Sequence, residues 1–130
     1  MTRKLVYACD YRGIELRKIL VKNHNLIDFE AEDLGIDDGS TLDYIDISRI
    51  LAERLRNTND IGVMICGSGQ GVAIVLNRFI HIRAVVARSI EDSIQTRQKL
   101  NANVVCLGSK YSSFEESQNI IETIENFENI

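Results

Sequence analysis

Short apolar runs alternate along the chain with longer segments whose apolar residues have helical spacing. The short runs predict five β-strands, at Lys4–Ala8, Leu26–Phe29, Ile61–Ile65, Ile82–Ala87 and Asn103–Leu107. Runs 61–65 and 82–87 are almost wholly apolar, which is typical of strands covered on both faces, so we expect both at the centre of the sheet. This alternation predicts a parallel sheet built from strand–helix units.

The segments between the strands predict the helices. Apolar residues mark one helix over 14–20, a second over 44–55 and a third over 72–76. Two pairs, Ser89 with Asp92 and Ser113 with Glu116, have the spacing of capping boxes that open two further helices. The last helix is predicted to carry four apolar residues: Ile120, Ile121, Ile124 and Phe127. We therefore predict a doubly wound α/β fold of three layers, in which the 130 residues form one domain.

Composition and charge place the chain among ordinary globular proteins. Hydrophobic residues make up 45% and charged residues 26% of the sequence, and the net charge is -4. There is no apolar stretch of membrane-spanning length and no secretory pattern after Met1, so we expect a cytoplasmic protein that does not enter the membrane. Nucleic acid is excluded as a partner because the chain has no clustered cations to neutralise phosphates.

The three cysteines predict free thiols rather than a disulfide or metal site. Cys9, Cys66 and Cys106 are far apart in the sequence and form no Cys-x-x-Cys pair. Cys106 lies inside a predicted strand, so we interpret it as a buried structural residue. His24 and His81 both precede predicted strands, which places them at the opposite edge of the sheet from Cys66 and argues against a Cys–His catalytic pair.

The segment Cys66-Gly67-Ser68-Gly69-Gln70-Gly71 follows the third predicted strand, where ligands bind in open parallel sheets. Its glycines would let backbone N–H groups converge on an anion. A thiol at such a turn suits a nucleophile or a base. The residues alone leave open a tight turn that uses glycine only for its backbone angles. A nucleotide site is the weaker interpretation, because neither the dinucleotide fingerprint nor a phosphate loop with Lys-Ser or Lys-Thr fits.

Two acidic segments precede predicted helices and allow two interpretations each. Asp10 would face the Cys66 segment if their strands are neighbours, where it could hold sugar hydroxyls or assist proton movement, or it could cap the first helix. Asp43-Tyr44-Ile45-Asp46 could likewise be a cap or a polar cluster at the edge of the sheet. Segment 37–40, Asp-Asp-Gly-Ser, predicts an exposed loop.

Taken together, these motifs carry a family resemblance over the whole chain. The matching segments are Cys9-Asp10-Tyr11-Arg12-Gly13, Asp43-Tyr44, Ile65 to Gly71, Asn77 with Ile82-Arg83-Ala84, and Arg97-Gln98 with Asn101 to Gly108. In order and spacing they resemble the type B ribose-5-phosphate isomerases and the related galactose-6-phosphate isomerase subunits.

The resemblance implies a Rossmann-like fold and an aldose–ketose isomerase that acts on a sugar phosphate through an enediolate, without metal or cofactor. It implies a homodimer or a dimer of dimers, with sites at the subunit interface. Cys66 would be the base and Ser68 would contact the reacting oxygens, while the amides from Gly67 to Gly71 would form the anion hole. Asp10 would bind the sugar and help to open its ring.

Several positions differ in residue type from those of the family. Tyr11, Lys99 and Leu100 stand where the family has His, His and Asn, and Lys110 replaces a phosphate-contacting Arg. No Lys or Arg follows Lys110, whereas the resemblance implies phosphate-binding arginines in a C-terminal extension. Cations that could compensate are Arg12, Arg88, Lys99 and Lys110.

The predicted site consists of catalytic and substrate-binding residues. The catalytic set is Cys66, Ser68, Asp10 and Lys99. The substrate-binding set is Asp10, Tyr11, Asp43, Tyr44, Gly67, Ser68, Gly69, Gln70, Gly71, Leu100 and Lys110. Isomerisation of ribose 5-phosphate is the first hypothesis. The alternative is a catalytically weakened relative that binds a sugar phosphate or serves as one subunit of a mixed oligomer.

Overall fold

The fold alternates strands and helices along the whole described chain. A computed structural model describes residues 3–36 and 42–126. The strands are β1 (Arg3–Cys9), β2 (Phe29–Asp33), β3 (Ile61–Cys66), β4 (Ala84–Val86) and β5 (Val104–Gly108). The helices are α1 (Ile14–Lys22), α2 (Tyr44–Leu55), α3 (Gln70–Leu76), α4 (Ile90–Gln98) and α5 (Phe114–Asn126), and a short 3-10 turn covers Tyr11–Gly13.

The five strands form one parallel sheet in the order β2-β1-β3-β5-β4. β1 is placed between β2 and β3, with Cys9 opposite Ile65, and β5 pairs with β3 so that Gly108 is opposite Cys66. The chain moves outward from β1 to β2 and then crosses back over β1 to β3. The carboxyl ends of β1 and β3 therefore flank the point at which the winding direction changes, where parallel sheets form their ligand crevice.

Apolar side chains on both faces of the sheet explain why helices cover it on both sides. All residues of β3 and β5 are buried. On one side α2 packs against α3, and on the other α5 packs against both α1 and α4. Each helix turns an apolar stripe inward, as Ile47, Leu51 and Leu55 do in α2. The predicted doubly wound, five-stranded parallel sheet is confirmed.

Two strand predictions need correction. The second strand is Phe29–Asp33 rather than Leu26–Phe29, because only Phe29 of this polar edge strand turns into the core while its other residues are acidic or alanine. Strand 82–87 is an edge strand of three residues and not a central one. Its apolar run does not reveal its place in the sheet, because an edge strand can be as apolar as a central one.

The helix starts follow the predicted caps. The Ser89 hydroxyl accepts from the Asp92 amide at 3.1 Å. Ser113 and Glu116 form a complete capping box, in which each side chain accepts from the other's amide at 3.1 and 2.9 Å. The predicted loop Asp37–Ser40 and Phe127 lie outside the described residues. Across the described ranges, no helix has the length and apolar character needed to cross a membrane.

Candidate functional site

The candidate site begins at the switch point between β1 and β3. The amide of Asp10, the first residue after β1, donates to the Ile65 carbonyl at 3.1 Å. Cys66 ends β3 and the glycine segment follows it directly. The strands before Asp10 and the Cys66 segment are hydrogen-bonded neighbours, which is the condition under which the sequence predicts that the two face each other.

Cys66 is held in a tight turn that directs a backbone donor at its sulfur. The side chain is only 4% exposed, and the Gly69 amide donates to Cys66 Sγ at 3.1 Å. Gly69 has φ of 81°, a left-handed conformation that residues with a side chain adopt only under strain. The turn therefore needs glycine at this position, and its conformation directs a backbone N–H group at the sulfur.

The same turn leaves several backbone donors without partners. The Gln70 amide donates to Ser68 Oγ at 3.2 Å. By contrast, the amides of Gly67, Ser68 and Gly71 donate to no acceptor within residues 3–36 and 42–126. Neighbouring unpaired N–H groups of this kind form an anion-binding concavity. They are the geometric basis for the predicted anion hole.

The end of β5 supports the turn from behind. A Cβ atom on Gly108 would lie 2.6 Å from the Ser68 carbonyl carbon, so only glycine fits there. The next two amides, those of Ser109 and Lys110, donate to the carbonyls of Cys66 and Gly67 at 2.8 and 3.0 Å. β5 therefore fixes the position of the loop that carries the thiol.

Asp10 provides a buried carboxyl group beside the turn. It is 2% exposed, and its Oδ1 accepts from the Arg12 amide at 2.9 Å. Burial raises the pKa of Asp10, against the lowering effects of the Arg12 amide and guanidinium, and the charge of Asp43 raises it further. Asp10 thus both caps the 3-10 turn and favours the protonated form of its own side chain more than an exposed aspartate does.

Asp43 and Tyr44 reach the site from the start of α2. Asp43 caps the helix, since its Oδ1 accepts from the amides of Ile45 and Asp46 at 2.9 and 3.0 Å. These contacts hold the pKa of Asp43 below its usual range. The Tyr44 ring packs on Gly71, where a Cβ atom would lie 3.2 Å from Cδ2. Asp43 is therefore a helix cap, one of its two predicted alternatives, and Tyr44 borders the glycine turn.

Three exposed side chains, Tyr11, Arg12 and Lys110, surround the entrance to the turn. The Arg12 guanidinium lies 5.2 Å from the centre of the Tyr11 ring. A further cation, Arg88, stacks on Tyr111 at 4.2 Å. The site entrance is therefore rich in positive charge, although the whole chain is acidic.

Lys99 and Leu100 lie apart from the other predicted site residues. α4 begins at the carboxyl edge of the sheet and returns to the amino edge, where Arg83, just before β4, donates to the Leu100 carbonyl. Lys99 follows the last residue of α4, and β5 starts only at Val104. Within one chain, these two residues are therefore at the opposite edge of the sheet from Cys66.

The remaining cysteines are free thiols, as predicted, and both histidines make hydrogen bonds within the fold. All three cysteines are free, and burial raises the pKa of Cys9 to about 12 and that of Cys106 further still. His24 bonds to the Tyr7 hydroxyl and the Phe29 carbonyl, while His81 bonds to the Ala52 carbonyl at 2.7 Å. The described part of the chain contains no group of three or more His, Cys, Asp or Glu residues arranged to hold a metal ion.

Three residues outside the predicted set also build the site: Arg12, Gly108 and Ser109. Ser109 Oγ donates to the Arg12 carbonyl at 3.0 Å, which ties the segment after β5 to the segment after β1. Segments directly after strands are predictable as site-forming in a parallel sheet. Which side chain makes a contact there depends on the strand order, which the sequence does not state.

The fold and the site define a class of α/β protein with a small-molecule site at the switch point of its sheet. This site contains a buried thiol, a buried carboxyl group and free backbone donors. The family model described as Ribose/Galactose Isomerase matches residues 5–128. The chain belongs to this family, as its sequence motifs predicted.

Individual relatives agree with the family match. "Probable ribose-5-phosphate isomerase B" of Mycoplasma pneumoniae is 32% identical over 124 residues, which cover 94% of this chain and 82% of the relative. The structure of Trypanosoma brucei type B ribose 5-phosphate isomerase superposes with a TM-score of 0.92 at 28% identity, covering 99% of this chain and 89% of the other. Ribose-5-phosphate isomerase B from Mycoplasma genitalium, solved with bound ribulose-5-phosphate, gives 0.88 at 29% identity, with coverages of 100% and 87%.

Proposed function

We propose that this protein interconverts ribose 5-phosphate and ribulose 5-phosphate, without a metal, by proton transfer at Cys66. The observation that carries the proposal is the arrangement around that sulfur. One backbone N–H group donates to Sγ, and three neighbouring amides are free to bind a developing oxyanion. The family membership and the relative that holds ribulose-5-phosphate support a sugar phosphate as the substrate.

In this mechanism the Cys66 thiolate removes the proton from carbon 2 of the open-chain aldose. The resulting enediolate carries its negative charge on oxygen, and the amides of Gly67, Ser68 and Gly71 stabilise that charge. The thiol then returns the proton to carbon 1. The remaining hydroxyl proton moves from oxygen 2 to oxygen 1, so the product is the ketose and the thiolate is regenerated.

Asp10 would act before this step, on the closed sugar ring. Opening the ring moves a proton from the anomeric hydroxyl to the ring oxygen, which needs a group that can both accept and release a proton. A carboxyl group whose pKa is raised by burial holds a proton to higher pH than an exposed aspartate does, which supports this task. Its position directly opposite the Cys66 strand supports this role.

Replacement of Cys66 tests the proposal directly. Cys66→Ala and Cys66→Ser should each lower turnover of ribose 5-phosphate roughly 10²- to 10⁴-fold and stop exchange of the carbon 2 proton with solvent, since the base is lost. Exchange is measured by proton NMR in deuterated water. Cys9→Ala is the matched control, because it removes a thiol whose pKa is raised to about 12, and it should retain exchange. Exchange that persists in Cys66→Ala contradicts the mechanism.

A second candidate function is sugar-phosphate binding without turnover, by this chain alone or as one subunit of a mixed oligomer. The residue types of Lys99 and Leu100 favour it, because these residues stand where the family has His and Asn. Ligand-dependent thermal stabilisation by ribose 5-phosphate without any proton exchange would support this function. Turnover by the purified chain would exclude it.

A further inference from the structure

We infer that Arg83 is a positioning residue for the reaction, because it fixes the backbone of the segment that carries Lys99 and Leu100. The inference rests on the proposed function. It deepens that function by giving a role to Arg83, which the sequence marks only as part of a family motif. Arg83 acts on the position of these two predicted site residues and not on the substrate itself.

The side chain of Arg83 is bonded to a single backbone carbonyl. Its guanidinium donates twice to the Leu100 carbonyl, from Nε at 3.0 Å and from Nη2 at 2.6 Å. Hydrogen bonds from an ionised donor are roughly twice as strong as neutral ones, and a planar donor also fixes their direction. Across residues 3–36 and 42–126, Arg83 forms no salt bridge with a carboxylate. Its charge is therefore directed at this one point of the backbone.

The backbone of Arg83 is bonded to the other end of the same segment. Its amide donates to Asn103 Oδ1 at 2.7 Å, and its carbonyl accepts from the Asn103 amide at 2.9 Å. Asn103 Nδ2 in turn donates to the His81 carbonyl at 2.9 Å. The segment is thus tied to the residues before β4 at two points, at Leu100 through the Arg83 side chain and at Asn103 through the Arg83 backbone.

Segment 99–103, between α4 and β5, is irregular but its backbone is fixed. The amides of Leu100 and Ala102 both donate to carbonyls of α4, at 3.0 and 2.9 Å. Asn101 has φ of 50°, a left-handed conformation that is uncommon for residues other than glycine. Because the Leu100 carbonyl belongs to the peptide unit just before Asn101, the bonds from Arg83 help to hold this conformation.

The side chains that this fixed backbone carries are free. Lys99 is exposed, and Leu100 is 44% exposed. Among the described residues, neither side chain makes a hydrogen bond or an ion pair. A rigid backbone that presents unpaired side chains lowers the entropy lost when those side chains meet another molecule. The segment therefore has the build of a contact surface.

This surface can reach a reactive turn only on a second copy of the chain, because within one chain it lies at the opposite edge of the sheet from Cys66. Arg83 of one copy would then support the site of the other. A shift of about 1 Å in a positioned group can lower turnover about 10²-fold. This separates Arg83 from a residue that only stabilises its own chain.

Substitution of Arg83 tests the inference by kinetics. Arg83→Ala should lower kcat/KM for ribose 5-phosphate roughly 10- to 100-fold, since Lys99 and Leu100 lose their fixed position. Arg83→Lys should recover part of the loss, because it keeps a charged donor without the planar fork. The matched control is Arg56→Ala, which removes an exposed arginine paired with Glu53 at the same edge of the sheet and should leave kcat/KM unchanged. Full activity of Arg83→Ala overturns the inference.

Mixing variants shows on which copy Arg83 acts. Arg83→Ala refolded with an equal amount of Cys66→Ala should recover about a quarter of the unsubstituted turnover, since half of the dimers are mixed and each joins an intact turn to an intact Leu100 segment. Arg83→Ala refolded with Lys99→Ala should recover nothing, because both variants damage the same edge. Lack of recovery with Cys66→Ala, or recovery with Lys99→Ala, overturns the inference.

Hydrogen exchange of backbone amides reports on the segment without any substrate. In Arg83→Ala the amides of Leu100 and Ala102 should exchange roughly 10-fold faster or more, while those of β3 stay unchanged. Unchanged exchange at both amides overturns the inference. Absence of turnover in the unsubstituted protein refutes the proposed function only, because exchange still reports on what Arg83 holds.

Discussion

Asp10 is buried, yet its carboxyl group makes polar interactions at the site. Its carboxyl group is almost fully enclosed, yet it accepts a backbone hydrogen bond and lies beside the reactive turn. Burial raises the pKa of Asp10 because the charged form loses its water. The folded state therefore binds the Asp10 proton more tightly than the unfolded chain does.

This difference predicts how stability and activity respond to Asp10→Asn. Between the unfolded and the raised folded pKa of Asp10, only the folded state holds the proton, so the free energy of unfolding falls as the pH rises through that window. Asn does not titrate and keeps an oxygen acceptor for the Arg12 amide. The variant should therefore be more stable than the unsubstituted protein at neutral pH, and the gain should disappear below the unfolded pKa.

Thermal unfolding of both proteins across pH 3 to 8 measures this effect, since about pH 3.9 is the ordinary pKa of an aspartate. Turnover should change in the opposite direction and fall roughly 10²-fold or more, because the group that moves ring protons is lost. A variant less stable than the unsubstituted protein at pH 7 would show that the charged form of Asp10 supports the fold.

The sequence indicates the reactive residues more clearly than the residues that position them. Cys66 and Ser68 are identifiable because a thiol and a hydroxyl stand among three glycines after a strand. Gly108 and Ser109 cannot be identified in this way, because their role depends on the position of β5 beside β3. That neighbour relation arises from long-range strand pairing, which leaves no local pattern in the chain.

At the scale of elements, Arg54 ties the polar edge strand to the rest of the sheet. Its guanidinium, on α2, donates to both carboxylate oxygens of Glu32 on β2 at 2.7 and 2.9 Å, and to Asp60 before β3 at 3.1 Å. The bidentate contact holds the pKa of Glu32 below its usual range. All three side chains are less than one third exposed, so solvent screens the pairs only in part.

Arg54→Ala should lower the free energy of unfolding by about 1 to 3 kcal/mol, since it removes charge-assisted bonds and leaves two carboxylates close together. Because the folded pKa of Glu32 is lowered, its stabilisation is present above the unfolded pKa and is lost as the pH falls through the folded value. The difference between the two proteins in urea unfolding should therefore shrink in acid. Arg56→Ala is the control and should change stability much less, because its ion pair with Glu53 is exposed to solvent. Equal effects of the two substitutions would contradict this account.

The predictions of two strands, β2 and β4, are wrong for related reasons. The sequence does not reveal β2 because Phe29 is its only buried residue and three of its other residues are acidic, so it has no apolar run. β4 looks central because its residues are all apolar, whereas centrality depends on neighbours in the sheet. Apolar patterns report burial against helices and carry no information about strand order.

At the scale of the whole molecule, the predicted site residues are divided between the two edges of the sheet. Cys66 and Asp10 lie at the carboxyl edge, and Lys99 and Leu100 lie at the amino edge. These groups could join only if a second copy of the chain brings its amino edge to the first copy's carboxyl edge. A homodimer with sites between subunits would satisfy this requirement twice.

A mixing experiment tests this arrangement. Cys66→Ala and Lys99→Ala should each lack turnover as pure proteins, because every site loses one group. Unfolding and refolding an equal mixture should restore about a quarter of the activity, since half of the dimers are mixed and each contains one intact site. Sedimentation velocity confirms that the mixture is dimeric. No recovery, or full turnover by Lys99→Ala alone, would show that Lys99 does not complete the site.

The acidic edge strand has a consequence for how the molecules behave in a crowded solution. An open edge offers unpaired backbone groups to any other extended chain, and β2 exposes such an edge next to Glu30, Glu32 and Asp33. A second strand that docked there would have to strip water from the exposed Glu30 carboxylate and disturb the ion pairs that Glu32 and Asp33 form with Arg54 and Arg17. The acidic residues that leave β2 without an apolar run thus also oppose pairing of this edge with a strand of another molecule.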